Sequence, residues 1–365
     1  MKDYMPIPDD RFKMKRSISF ASAINEALHQ AMSVDEHVII YGLGVDDPKA
    51  IFGTTTGLKE KFGNERVFDM PTSENAMTGV AIGASLNGIR PIMVHQRTDF
   101  FLLAMDQLIN NAAKWHYMFN GHGSVPITIR LIIGRGWGQG PTHSQNFHSW
   151  FAHIPGLKVV MPSTAEDAKG LLLESVFDDN PVLFIEHRWL HAMQGDVPEE
   201  FYKIPLGKAH LSRKGNDVTI VAMSIMTIEA IHAADFLNKH DIHCDVIDLR
   251  TIRPLDWSTI FESVTRTGHL LVLDNSHTTG SIAGEIIAKV STELWGDLKG
   301  APQRLAMPDF PEATSVALTK NYHVRAEHIV SKVSEMLGVQ TPVSSLMEER
   351  KHPHDVPGEW FTGPF

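Results

Sequence analysis

Glu74 is the first residue of this chain whose type and position suggest chemistry. It ends the run Pro71-Thr72-Ser73-Glu74, and a stretch rich in glycine and alanine follows it. This pattern predicts a turn from a strand into a helix, and ligands bind at that edge of an open parallel sheet. A carboxylate there could act on a bound ligand. Alternatively it serves only the helix, since Ser73 is suited to cap an N-terminus and an acidic first turn offsets the helix dipole.

A second candidate is the glycine-rich segment GRGWGQG at residues 134–140. Its glycines alternate with other residues and Pro141 follows it, whereas a dinucleotide-binding loop has a different spacing and leads into a helix. The segment therefore predicts a loop whose backbone closely approaches another group, with simple flexibility as the alternative.

Several histidines follow this loop. His143, His148 and His153 recur every fifth residue, which does not place them on one helix face, and no carboxylate accompanies them. We therefore expect no metal site built on these three side chains. His187 and His191 lie beyond the end of a predicted strand, which favours exposed loop positions.

The elements that must position these residues alternate regularly along the chain. Apolar runs typical of buried strands alternate with helical patterns, in two series separated by a charged connector at residues 195–215. This order predicts an α/β fold with two open, mostly parallel, doubly wound sheets. The expected domains cover residues 1–200 and 201–340, and a tail covers 341–365. Strands are predicted at residues 38–41, 67–70, 90–95, 126–133, 157–161, 182–186, 218–223, 244–248, 270–273 and 303–307, and helices from Ser19 and at 74–86, 102–118, 165–177, 227–239, 256–266, 282–294 and 326–337.

Composition excludes several classes of function. The chain has 365 residues, with 33 Lys and Arg against 43 Asp and Glu, and a formal net charge of −10. This balance argues against nucleic-acid binding, because phosphate backbones attract a surplus of basic side chains. No segment approaches ~18 uninterrupted apolar residues and the N-terminus lacks an apolar signal core, so we expect no membrane span and a cytoplasmic location. The single cysteine, Cys244, lies in an apolar run and is expected to be a buried thiol rather than a nucleophile.

Several longer segments together resemble the beta subunit of the thiamine-diphosphate-dependent 2-oxo-acid dehydrogenases, the decarboxylase component of those complexes. The most specific are PGLKVVMPSTAEDAKGLLLESVFDDNPVLFIEHRWL at residues 155–190 and IDLRTIRPLD at 247–256. Pyruvate, branched-chain and acetoin dehydrogenases are members of this family, which belongs to the transketolase superfamily. The other segments are residues 71–92, residues 105–118 and the His-Ser-Gln motif at 143–145. The similarity runs from about residue 17 to residue 338 and leaves out the tail.

The resemblance implies a pyrimidine-binding domain, then a transketolase C-terminal-type domain, in an α2β2 heterotetramer with a cofactor between each alpha and beta chain. The family's diphosphate and magnesium motif begins Gly-Asp-Gly, and the two Gly-Asp pairs here, at residues 195–196 and 296–297, continue differently. We therefore expect this chain to hold the pyrimidine half of thiamine diphosphate. The alpha subunit would hold the phosphates and magnesium, and this chain alone would be inactive.

The resemblance also implies roles for individual side chains. Glu74 matches the glutamate that pairs with N1′ of the aminopyrimidine and favours the tautomer that takes the thiazolium proton. Phe100 matches the aromatic residue that packs on the pyrimidine, with an ordinary core phenylalanine as the alternative, and Gln96 is expected to be a further cofactor contact. His143 matches the histidine of the His-Ser-Gln motif, which orients the substrate or moves protons.

A potassium site is a further implication. In some members a structural potassium ion is bound, largely through backbone carbonyls, by a loop that resembles one in this chain. The matching residues are Ser175, Val176, Asp178 and Asn180.

The chain departs from the family beside the cofactor pocket. Small or aromatic residues are common where this chain has His95-Gln96-Arg97-Thr98-Asp99, and Trp137 and Gln139 fill the loop before His143. A hydrophobic pocket favours branched aliphatic acids. The charged residues Arg97 and Asp99 therefore suggest a polar 2-oxo acid or a polar acceptor.

The function expected from the resemblance is decarboxylation of a small 2-oxo acid, with transfer of the acyl unit to the lipoyl group of an acyltransferase core. The alternative is a stand-alone two-subunit carboligase or transketolase-like enzyme that passes the unit to an aldehyde or sugar. A non-catalytic scaffold is disfavoured because Glu74, Phe100 and His143 are all retained. In the tail, Trp360, Phe361 and Phe365 either dock on a neighbouring subunit or belong to a floppy end.

Overall fold

A seven-stranded sheet organises the first half of the chain. The structure is a computed structural model, and it describes residues 15–135, 138–361 and 363. Its strands are β2 (Val38–Gly42), β3 (Val67–Asp69), β4 (Arg90–His95), β5 (Thr128–Ile133), β6 (Lys158–Val160), β7 (Val182–His187) and β12 (Thr251–Arg253). The sheet has the order β12-β6-β7-β5-β4-β2-β3 and is parallel except where β12 pairs with β6.

Helices cover both faces of this sheet. The predicted cap of the first helix is confirmed, because the Ser19 hydroxyl accepts a hydrogen bond from the Ser22 amide at 3.1 Å. The prediction of a single helix over residues 102–118 is wrong. The chain there forms a 3₁₀ turn (Leu102–Ala104), a π-helical segment (Gln107–Ala112) and a short helix (Trp115–Met118), and two adjacent asparagines with low helix propensity lie in the π segment. The helices are α1 (Phe20–Val34), α2 (Ala50–Gly53), α3 (Leu58–Phe62), α4 (Glu74–Ser85), α5 (Thr98–Phe101), α6 (Trp115–Met118), α7 (His148–His153) and α8 (Ala165–Val176).

A five-stranded sheet organises the second half. Its order is β14-β13-β10-β11-β9, and only the edge strand β9 runs antiparallel. Two mostly parallel sheets with helices packed on them confirm the predicted fold class. The strands are β9 (His210–Arg213), β10 (Val218–Ala222), β11 (Cys244–Asp248), β13 (Leu270–His277) and β14 (Gln303–Met307), and the helices are α9 (Ile225–Asn238), α10 (Trp257–Thr267), α11 (Ile282–Glu293), α12 (Ala326–Leu337) and α13 (Val343–Glu348).

Two pairings tie distant parts of the chain together. β1 (Lys15–Ser19) pairs antiparallel with β8 (Gln194–Pro198), and β12, which follows the connector, joins the edge of the first sheet. The thiol of Cys244 is buried, as predicted, and burial raises its pKa to about 12. None of the helices in the described part of the chain has the length and apolar content that a membrane span requires.

The tail folds back on its own chain. The indole N–H of Trp360 donates to the carbonyl of Trp189 at 2.8 Å, and Phe361 packs against the hydrophobic core. The expectation of a floppy end is therefore wrong for these two side chains, while docking on a neighbouring subunit stays a prediction. Phe365 lies outside the described residues.

Candidate active site

The carboxyl edge of the seven-stranded sheet carries the three catalytic candidates on successive connections. Glu74 begins α4 after β3, Phe100 lies in α5 after β4, and His143 lies in the loop after β5. β3, β2, β4 and β5 are neighbours in the sheet. Because carboxyl ends of parallel strands meet at one edge, the topology places these connections at the usual ligand-binding edge.

Glu74 supplies a buried carboxylate at the start of a helix. The residue is 5% exposed, and its carbonyl accepts a hydrogen bond from the Thr78 hydroxyl at 2.8 Å. Ser73 makes no side-chain hydrogen bond to the helix, so the expectation that it caps α4 is wrong. An ionisable side chain buried at a helix N-terminus and at the ligand-binding edge is a candidate for acid–base work.

Phe100 and His143 form one aromatic contact. Their ring centroids lie 5.3 Å apart with an interplanar angle of 86°, and both side chains are half-buried. The Thr142 hydroxyl lies 3.1 Å from Nδ1 of His143, which orients the imidazole. Phe100 is therefore not a fully buried core residue but part of the same wall as the candidate proton-moving histidine.

Gln96 is exposed and lies against the loop that follows β2. A Cβ atom at Gly44 would come within 2.5 Å of the Gln96 side-chain nitrogen, and Gly44 has a φ of +77°. The amides of Gly44 and Val45 donate to the Asp69 carboxylate at 3.1 and 2.6 Å. The close approach of Gln96 thus depends on a glycine at position 44, and its role as a cofactor contact stays a prediction.

Gln145, the last residue of the His-Ser-Gln motif, holds the acidic residue before Phe100. Its side-chain amide donates to Oδ1 of Asp99 at 2.7 Å. Burial raises the pKa of Asp99, although this hydrogen bond opposes the shift. Oδ2 of Asp99 is buried and has no hydrogen-bond partner in the described part of the chain. The motif was recognised in the sequence, but nothing in it indicated this contact.

The Arg97 guanidinium is hydrogen-bonded to the glycine-rich loop. It is 4% exposed, donates to the Gly134 carbonyl at 2.5 Å, and hydrogen-bonds the Gln139 side chain. Burial lowers the pKa of Arg97 to about 10. Its charge therefore supports the loop, whereas the sequence suggested a charged lining for the substrate pocket. Trp137 lies outside the described residues.

The close approach predicted for the glycine-rich loop is confirmed at both ends. A Cβ atom at Gly134 would lie 2.3 Å from a ring carbon of His187, and Gly134 has a φ of +76°. At Gly140 a Cβ atom would lie 2.2 Å from the Thr314 hydroxyl. Side chains at these positions would force the loop away from its neighbours.

His187 and His191 are buried, so the expectation of surface positions is wrong. They are 4% and 2% exposed, because the segment after β7 is covered by the glycine-rich loop on one side and by α1 on the other. His187 Nδ1 accepts from the Trp189 amide at 3.2 Å, and His191 Nε2 lies 3.1 Å from Glu186. Burial lowers the pKa of both histidines.

A buried polar pair joins the two halves of the molecule behind the site. Nε2 of His148 lies 2.8 Å from Oδ1 of Asp274, which is 126 residues away in sequence. Next to it the Asn146 side chain donates to the Asn275 carbonyl and accepts from the Gly134 amide at 3.0 Å. The sequence indicated no partner for His148, because these contacts form only when the two sheets pack together.

The predicted potassium loop connects α8 to β7. The Ser175 carbonyl accepts from the Thr128 hydroxyl at 3.1 Å, and one Arg90 nitrogen donates to the Val176 and Asp178 carbonyls at 3.4 and 3.0 Å. The Asn180 amide donates to the Asp178 carboxylate at 2.8 Å. A carbonyl oxygen has two lone pairs, and that of Ser175 also accepts from the Asp178 amide at 3.3 Å. Carbonyl oxygens suit a hard monovalent cation, and potassium here stays a prediction.

Comparisons with known proteins identify the family. A model described as "Transketolase, pyrimidine binding domain" matches residues 16–192, and one described as "Transketolase, C-terminal domain" matches residues 207–329. A 328-residue alignment with the acetoin:2,6-dichlorophenolindophenol oxidoreductase subunit beta of Cupriavidus necator is 41% identical and covers 87% of this chain and 97% of the relative. The chain belongs to the beta-subunit family of the thiamine-diphosphate-dependent 2-oxo-acid dehydrogenases.

Other relatives agree with this assignment. The 2-oxoisovalerate dehydrogenase subunit beta of Bacillus subtilis is 39% identical, over 87% of this chain and 98% of that protein. The pyruvate dehydrogenase E1 component subunit beta-2 of Oryza sativa subsp. japonica is 40% identical, over 81% of this chain and 80% of that protein. A solved structure titled "Split gene transketolase, inactive beta4 tetramer" has a TM-score of 0.70 at 23% identity, over 89% of this chain and 99% of that one, which shows a shared fold.

The residues present fit the pyrimidine end of the family's cofactor, thiamine diphosphate. A buried carboxylate at Glu74 suits a ring nitrogen, and the half-buried Phe100 offers an aromatic face beside His143. For the other end of the cofactor, the described residues contain no group of three or more His, Cys, Asp or Glu side chains that could hold a metal ion.

Proposed function

We propose that this chain is the beta subunit of an enzyme that decarboxylates a 2-oxo acid on thiamine diphosphate and passes the acyl unit to a lipoyl acceptor. The observation that carries the proposal is the placement of buried Glu74 and the Phe100–His143 pair on successive connections at one sheet edge. The named relatives are subunits of enzymes that act on acetoin, 2-oxoisovalerate or pyruvate, which supports the reaction class.

Thiamine diphosphate supplies an acidic carbon and an electron sink, which a protein side chain cannot provide. The chain's own contribution is the control of protons and orientation. Glu74 would hold a proton at N1′ of the pyrimidine, in a buried position where water does not compete for it. Phe100 would pack against the ring, and His143 would orient the substrate or move a proton at the reacting carbon.

The proposal includes partners. An alpha subunit in an α2β2 heterotetramer would supply the diphosphate and magnesium contacts, because this chain lacks the Gly-Asp-Gly motif. A lipoyl acyltransferase core would accept the acyl unit. Co-purification of the native complex, followed by mass spectrometry, identifies both chains directly.

Asp99 and Gln145 support a polar substrate. Arg97 is bound to the loop and cannot serve as a free cation, so the polar character of the site depends on Asp99, Gln145 and His143. The unpartnered oxygen of Asp99 can accept a hydrogen bond from a hydroxyl group, and a site built for such a bond rejects analogues that lack it. Equal turnover of 2-oxoisovalerate and of hydroxylated 2-oxo acids by the complex would contradict this preference.

Substitution of Glu74 tests the catalytic proposal. In the complex with the alpha subunit, Glu74→Ala should lower decarboxylation by two to three orders of magnitude, since one such hydrogen bond contributes ~3–4 kcal/mol. Glu65→Ala, which removes an exposed carboxylate in the turn before β3, is the control and should leave the rate unchanged. Decarboxylation by Glu74→Ala within tenfold of the parent would show that the assigned role is wrong.

A further inference from the structure

The C-terminal segment continues beyond the matched family domains and contacts the start of the glycine-rich loop. The second family model ends at residue 329, whereas the described chain continues through α13 and then as a segment of turns without helix or strand. We call residues 351–361 the C-terminal strap. It passes the loop that contains Glu312 and Thr314 and ends against the segment after β7.

Arg325 holds the first part of the strap. Its guanidinium donates to three backbone carbonyls, at 3.4 Å to His354, 2.9 Å to Val356 and 2.9 Å to Pro357. Nε of the same guanidinium lies 3.0 Å from a carboxylate oxygen of Glu229. Because one planar, rigid group binds several carbonyls, the backbone on both sides of residue 355 is fixed.

The last part of the strap is held at the end of β7. The Trp360 indole donates to the Trp189 carbonyl at 2.8 Å, and the Arg188 guanidinium lies 5.5 Å from the centroid of the Phe361 ring. Trp189 and Arg188 directly follow His187, on which Gly134 packs. The strap is therefore anchored on both sides of Asp355.

Asp355 is a completely buried carboxylate next to the glycine-rich loop. Its side chain has 0% exposure and lies 3.8 Å from the Arg135 guanidinium, which is 1% exposed. Arg135 also lies 3.2 Å from Glu312 and donates to the Thr314 carbonyl at 3.3 Å. A carboxylate without access to water needs a nearby positive charge, so Asp355 and Arg135 depend on each other.

Arg135 lies at the start of the loop that leads to His143. The preceding residue, Gly134, is held through its carbonyl by Arg97 and through its amide by Asn146. The other end of the loop is tight, because the His143 amide donates to the Gly140 carbonyl at 3.1 Å. Arg97 also donates to the Gln139 side chain, so the residue before Arg135 and the part of the loop that leads to His143 are held by one guanidinium.

We propose that Asp355 is a positioning residue: through Arg135, the C-terminal strap holds the glycine-rich loop and thereby places His143. The link to catalysis rests on the proposed function, while the link between strap and loop does not. The strap is supplied by the same chain and lies outside the residues matched by the two family models.

The test uses the full-length chain in complex with its alpha subunit. Asp355→Asn should increase amide hydrogen exchange at residues 138–143 about tenfold, with exchange in α8 and β10 unchanged. It should lower kcat about tenfold and leave the dissociation constant for thiamine diphosphate within twofold, because Glu74 and Phe100 do not lie on this loop. Asp355→Glu keeps the charge and should recover most of both properties, and Glu359→Gln, an exposed carboxylate in the strap, is the control.

Two outcomes would overturn the proposal. Unchanged exchange at residues 138–143 in Asp355→Asn would show that the strap does not hold the loop. Acceleration of similar size in α8 and β10 would show that Asp355 supports the fold in general. Asp355→Asn can instead be tested in a complex that is found not to decarboxylate 2-oxo acids. Faster exchange confined to residues 138–143 would then support the contact between strap and loop and contradict the proposed function.

Discussion

Substitutions of His148 and of Asp274 should destabilise the chain by different amounts, and this difference tests how the two halves of the molecule are joined. Both side chains have 0% exposure. Oδ1 of Asp274 lies 2.8 Å from His148 Nε2 and accepts from the Ser276 amide at 2.8 Å and the Ser276 hydroxyl at 2.8 Å. Oδ2 accepts from the Ala283 amide at 3.3 Å. The carboxylate thus satisfies four donors, whereas His148 contributes only one of them.

The two single substitutions should therefore differ in cost. Asp274→Ala leaves several buried donors without an acceptor, each costing ~1–3 kcal/mol, and breaking a buried pair costs ~3–5 kcal/mol, so we expect a loss of about 4 kcal/mol. His148→Phe removes one charge-assisted hydrogen bond but preserves ring packing, which predicts about 2 kcal/mol. The double variant should lose little more than Asp274→Ala, because both remove the same contact.

Thermal unfolding of the purified chain measures these differences. For a unit of 150–250 residues, 1 kcal/mol corresponds to ~2–4 °C, so Asp274→Ala should lower Tm by about 8–16 °C and His148→Phe by about 4–8 °C. His153→Phe, on the exposed side of α7, is the matched control and should change Tm little. Equal losses in the two single variants, or a fully additive double variant, would refute the assignment of Asp274 as the shared acceptor.

Three further measurements follow from the structure. Burial alone would raise the pKa of Asp274, but His148 and hydrogen bonds outweigh it and hold the pKa below its usual value. The stabilisation that the Asp274 carboxylate gives to the folded state is therefore complete above the unfolded-state pKa of ~3.9, and it is lost as the pH falls through the lower folded-state pKa. As the pH falls below about 4, the urea midpoint of unfolding should therefore decrease less in Asp274→Asn than in the parent chain. Gly134→Ala should lower the free energy of unfolding by ~2–4 kcal/mol, because Gly134 has a positive φ and an added Cβ atom would collide with His187. Adding His187→Ala to this variant should restore part of the lost Tm. The parent chain should have a higher Tm in a potassium salt than in the matching choline salt, and Asp178→Ala should remove this difference. Equal Tm values of the parent chain in both salts would contradict a potassium site.

Several parallel strands could be predicted to the residue. Arg90–His95 and Cys244–Asp248 have the predicted bounds, because a strand covered on both faces is a continuous apolar run between polar turns. The partly exposed edge strand Gln303–Met307 also has the predicted bounds. His210–Arg213 and Thr251–Arg253 were not predicted. They are short edge strands whose hydrogen-bond partners, rather than their own side chains, make them extended.

The candidate site likewise contains residues that could be predicted from the sequence and a contact that could not. Glu74, Phe100 and His143 lie in local motifs, so their positions after successive strands could be read from the sequence by resemblance. The Arg135–Asp355 contact could not be predicted, because it joins the loop after β5 to the tail. No periodicity or local spacing records such a pair, and a carboxylate in a polar tail is ordinarily solvated.

Arg97 shows why residue type alone misleads about specificity. An arginine beside a predicted pocket suggests recognition of an anionic substrate, yet its donors are bound to the Gly134 carbonyl and the Gln139 side chain. A buried guanidinium must satisfy its donors within the protein, and the glycine-rich loop supplies the acceptors. Specificity then depends on the groups left unsatisfied, of which Oδ2 of Asp99 is one. Asp99→Asn should therefore change the relative kcat/KM among 2-oxo acids, whereas Arg97→Lys should lower kcat for all of them alike.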